Sequence, residues 1–129
     1  MKDAEFVRRF EDGQVPEESF HHADHVRLAF AYLSQNPSLA ALDRFAGALK
    51  CYAAAHGKPE RYHETITYAY FFLIRERMAR SGATSWEDFA RQNPDLLQWK
   101  PGILGRYYRE DTLQSDLARS VFVFPDLRG

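Results

Sequence analysis

The spacing of its turn signals constrains this chain most. Gly13 to Glu18, Asn36-Pro37, His56-Gly57-Lys58-Pro59, Ser81-Gly82, Asn93-Pro94 and Pro101-Gly102 punctuate it. Gly and Pro interrupt regular structure, and the stretches between these signals have the length of helices. No run sustains the apolar–polar alternation of a half-buried strand, so the pattern predicts an all-α protein. No long linker, internal repeat or low-complexity tract divides the 129 residues, which are one domain's worth of chain. Residues 1–129 read as a single helical domain, a bundle of about five to seven helices with an extended C-terminal tail.

The segments have distinct characters. Asp3 to Glu11 carries Phe6, Val7 and Phe10 on one side, with Asp3 as its expected N-cap. A second helix is expected from His22 to about Leu33, with an apolar stripe of Leu28, Ala29, Tyr32 and Leu33. A third, Ser38 to His56, has Leu39, Leu42, Phe45, Leu49 and Tyr52 at helical spacing, and Cys51 on a second face of small residues. Cys51 reads there as a packed residue, not a nucleophile. The fourth, from about Glu60 to Arg80, is apolar almost all round in its middle, which suits the centre of a bundle or a contact between two copies. Ser85 and Asp88 have capping-box spacing ahead of a short fifth helix. One or two short helices around Pro101-Gly102, a last helix from about Asp111 to Val121, and an extended Phe122–Asp126 lying across the bundle complete the reading.

Composition excludes several function classes. Lys plus Arg is 17 and Asp plus Glu is 18, for a net charge of −1, which argues against a strongly electrostatic nucleic-acid binder. A single cysteine excludes an internal disulfide framework and a CxxC zinc ribbon. The N-terminus lacks the apolar core of a secretory signal. The densest apolar run, Tyr68 to Ile74, is far short of the roughly 20 residues a bilayer span needs. A cytoplasmic protein with no membrane or nucleic-acid partner is the expectation. G-x-S-x-G, the P-loop and G-x-G-x-x-G are absent.

Chemistry concentrates on histidines. His22 and His25 are three residues apart, about 60° around a helix, so they share a face. His63 heads the fourth helix in the same way. Short connections make the second and third, and the third and fourth, helices antiparallel, so the second and fourth point the same way. Their N-terminal ends then bring His22, His25 and His63 to one end of the core. Three neutral imidazoles suit a divalent transition metal, zinc, iron, nickel or copper. Glu64 is the candidate general base or fourth ligand, and Asp24 is a second carboxylate nearby. His21 and His56 read as surface or cap residues. His63-Glu64-Thr65-Ile66-Thr67 misses the H-e-x-x-H zincin pattern, because Thr67 stands where its second histidine belongs.

Phe20-His-His-Ala-Asp-His-Val-Arg-Leu-Ala29 and Tyr62-His-Glu-Thr-Ile-Thr67, with His56-Gly57, Tyr107-Tyr108, Ala118-Arg119 and Pro125-Asp126, resemble a group of small bacterial proteins of unknown function. The resemblance runs from Phe20 onward. It implies one helical domain and points to His22, His25, His63 and Glu64. A looser similarity to DinB-like helical bundles implies a three-histidine metal centre, although H-x-x-H followed by one distant His is not their spacing.

Two functions follow as expectations. One is a metal-dependent enzyme, such as a hydrolase, acting on a small molecule with His22, His25 and His63 as ligands and Glu64 as base. The other is a non-enzymatic helical interaction module with a structural histidine cluster. A homodimer is compatible with both.

Overall fold

Helices start and stop at the turn signals. In the computed structural model, which describes residues 2–127, the long helices are α1 (Asp3–Glu11), α2 (His22–Gln35), α3 (Ser38–Ala55) and α4 (Glu64–Ser81). Four short ones follow: α5 (Trp86–Gln92), α6 (Pro94–Leu97), α7 (Glu110–Leu113) and α8 (Asp116–Ser120). The described residues contain no strand. Gly57 and Gly82, just past the ends of α3 and α4, have φ of 70° and 67°. Glycine takes this left-handed conformation without the steric cost of a Cβ, and so ends both helices cleanly. Ser85 caps α5, its Oγ accepting from the Asp88 N–H at 3.2 Å.

Two helices form the centre. α2 packs against α1, α3, α4, α5 and α6. Its buried set, Val26, Leu28, Ala29, Phe30, Ala31 and Tyr32, is wider than a single stripe. The second flank is buried because α5 covers it, with Phe30 5.1 Å from Phe89 and 5.8 Å from Trp86, centroid to centroid. Burying a side chain such as Phe30 stabilises by roughly 1.5–3 kcal/mol. α4 is central as its composition implies, burying Thr65, Thr67, Tyr70, Phe71 and Ile74. The docking of α1 through Phe6, Val7 and Phe10 also matches its periodicity.

The tail lies across α4. Phe122 sits 6.0 Å from Tyr68 and 6.2 Å from Phe72. Thr65 Oγ1 donates to the Val121 carbonyl at 2.9 Å and accepts from the Val123 N–H at 3.1 Å. Tyr108 Oη donates to the Val123 carbonyl at 2.6 Å.

Several expectations are corrected. Asp3 is the first helical residue of α1; Lys2 holds the cap position. The last helix is two, because Ser115 starts afresh as the cap of α8, accepting from the Ala118 N–H. Leu39 is 77% exposed, and Cys51 is exposed, because the faces of α3 that carry them turn away from α2 and α4. None of the described helices is long and apolar enough to cross a membrane.

Candidate functional site

The N-terminal ends of α2 and α4 meet, as the connection lengths imply. His22, His25 and His63 line one cavity of about 890 Å³. Its walls are apolar and aromatic: Phe20, Tyr52, Tyr70 and Trp99 close over Leu49 and Ile66. Such a cavity has the size and lining of small-molecule sites.

His22 opens α2. Its Nε2 lies 2.9 Å from the Leu96 carbonyl, which can only accept, so Nε2 carries the proton. Its ring packs at 4.9 Å from Tyr70 and 5.0 Å from Trp99. His25, one turn on, stacks 4.1 Å from Phe20. Burial pushes His25 down to about 4, with a smaller push from neighbouring His22. Burial also lowers His22, against the opposing pull of the Leu96 carbonyl. At neutral pH both rings are therefore uncharged.

His63 does different work. It is the N-cap of α4, its Nδ1 accepting from the Ile66 N–H at 3.1 Å. Its Nε2 donates to the Leu113 carbonyl at 2.6 Å. Both ring nitrogens are spent on backbone groups, so His63 has no lone pair left for a metal. Burial lowers its pKa, and the positive charge of Arg119 adds to this. Among the described residues, no group of three or more His, Cys, Asp or Glu side chains is arranged to hold a metal ion. The three histidines share a cavity, but they do not fit a three-imidazole centre.

Glu64 and Asp24 are not in the cavity lining. Glu64 accepts from Tyr62 Oη at 2.5 Å and borders a second, polar recess with Lys50 and Asp116. One residue along a helix is a rotation of about 100°, which takes Glu64 off the face of His63. Asp24 accepts from the His21 N–H at 3.0 Å and so caps α2. Neither is placed to serve as a base in the cavity. His21 and His56 occupy the cap positions of α2 and α3, as read, and also border the cavity.

Several lining residues escaped the sequence reading. Trp99 and Arg119 come from distant parts of the chain and carry no local signal. Glu17 and Arg61 lie in single 3-10 turns, and Lys58 caps the second of them, elements too short for periodicity to show. Glu17 Oε1 accepts from Lys58 Nζ and from Arg61 Nη1, each at 2.6 Å. These cations hold the Glu17 carboxyl below its usual range, the hydrogen bond from Lys58 being the largest cause. Tyr70 adds an anomaly: its hydroxyl is buried with no hydrogen-bond partner among the described residues. Burial raises its pKa to about 12, so it stays a neutral donor.

No protein-family model, no curated protein sequence and no solved structure matches this chain.

Proposed function

We propose that the chain binds a small organic molecule in the cavity between the N-terminal ends of α2 and α4. The carrying observation is the cavity itself: about 890 Å³, walled by aromatic rings, with the neutral imidazoles of His22 and His25 among its few polar groups. Apolar walls supply affinity, and sparse polar groups fix orientation. A metal-dependent hydrolase built on His22, His25, His63 and Glu64 is less well supported, because His63 is committed to Ile66 and Leu113 and Glu64 to Tyr62.

The test is to fill the cavity. Ala53 lines it from α3. In a thermal-shift assay with neutral aromatic amides, the wild type is expected to gain stability with ligand concentration. Ala53→Trp is expected to fold and to lose that response. A wild type indifferent to every amide would refute the proposal, as would an unchanged response in Ala53→Trp.

A further inference from the structure

We infer that the molecule taken by this cavity is an organic carboxylate, its apolar body among the aromatic walls and its charged head against Lys58 and Arg61. The inference rests on the ligand-pocket reading above and adds the ligand's chemical class.

Charge distribution carries it. The whole chain is close to neutral, at −1. The cavity lining is not: among the described residues it holds Lys58, Arg61 and Arg119 and one carboxylate, Glu17. Glu18, Asp24, Glu60 and Glu64, the other carboxylates on these segments, are not part of that lining. Arg119 Nη1 donates to the neutral carbonyl of Glu60, at 3.2 Å. Lys58 and Arg61 converge on one oxygen of Glu17, which orients both and leaves an excess of positive charge. The neutral histidines add no countercharge.

Position supplies the rest. The Lys58 and Arg61 side chains are 39% and 62% exposed, so the cations stand at the solvent edge. The aromatic residues of the same cavity are in part buried, Tyr70 almost wholly. A ligand matching both parts is amphipathic and anionic. A carboxylate can accept from Lys and Arg donors together, as Glu17 already does. Glu17 acts here as the resident countercharge, holding the two cations in place and competing with the incoming one.

Isothermal titration calorimetry on the full chain tests this with two matched pairs: 2-naphthoate against 2-naphthamide, and 4-phenylbutyrate against 4-phenylbutyramide. Each acid is expected to bind at least about tenfold more tightly than its amide at low ionic strength, an advantage that shrinks in high salt. Lys58→Ala/Arg61→Ala is expected to abolish that advantage, bringing each acid to the affinity of its amide. Glu17→Gln is expected to strengthen acid binding. Should the double variant fail to fold, Arg119→Gln and the salt series carry the same test. Equal affinities for acid and amide would overturn the inference and leave the pocket reading standing. An acid preference insensitive to Lys58, Arg61 and Arg119 would also overturn it. No binding by any of the four compounds would remove the pocket reading and this inference together.

Discussion

The histidines show how one residue type serves different ends a few ångströms apart. His63 is structural: its ring joins the start of α4 to the end of α7. His63→Ala should cost about 1–3 kcal/mol in urea unfolding, since two backbone groups lose their partners. His25 makes stability depend on pH. Its folded pKa, about 4, lies below the roughly 6.5 of an unfolded histidine. As pH falls between those values, the unfolded chain binds a proton that the folded chain refuses. Stability is therefore complete above about pH 6.5 and falls as pH approaches 4, by up to about 3 kcal/mol. His22 and His63 shift in the same direction. Comparing urea midpoints at pH 7.5 and 4.5, His25→Phe should lose markedly less stability than the wild type. Equal losses would assign the pH dependence elsewhere. Tyr70→Phe tests the cost of a buried hydroxyl with no partner among the described residues. Its removal should leave the protein as stable or up to about 1 kcal/mol more so in urea unfolding.

At the scale of elements, the tail is held by few groups. Thr65 is wholly buried and serves two of its backbone positions. Thr65→Val keeps the shape and strands the Val121 carbonyl and the Val123 N–H, so it should lower stability by about 1–3 kcal/mol. Amide hydrogen exchange should also quicken at Val123; unaltered exchange there would show that the tail is held without Thr65, by Phe122, Tyr108 and the bonds of Asp126 to Arg109 and Thr112. The sequence made the long helices legible because periodicity, caps and breakers are local. It also made legible the meeting of His22, His25 and His63, which depends only on two short connections. It could not reveal what those rings bond to: Leu96 is 74 residues from His22, and Leu113 is 50 from His63. Glu64 was misread for a helical reason. With His63 in the cap rather than the helix, the next side chain turns toward Tyr62 and away from the cavity. The burial of Phe30 and Ala31 was likewise unreadable, since it depends on α5 folding back over α2.

On the scale of the whole molecule, a near-neutral chain separates its surface from its site. Some ion pairs among the described residues are local, Arg80 with Glu76 and Arg91 with Asp88, and others join distant segments, as Arg77 does with Asp95. The lining of the cavity holds three cations, one carboxylate and several aromatic rings. A second apolar exposure exists at the opposite end of the chain, where Leu117, Val121, Phe124 and Leu127 are open to solvent. A small apolar molecule therefore has two places to go, and the account commits to the first. Intermolecular nuclear Overhauser effects between 2-naphthamide and methyl-labelled protein distinguish them directly. Contacts from the naphthyl protons to the methyls of Leu49, Ile66 and Ile74, which line the cavity, are the expected result. Contacts confined to Leu117, Val121 and Leu127, or none at all, would contradict the assignment of the cavity as the binding site.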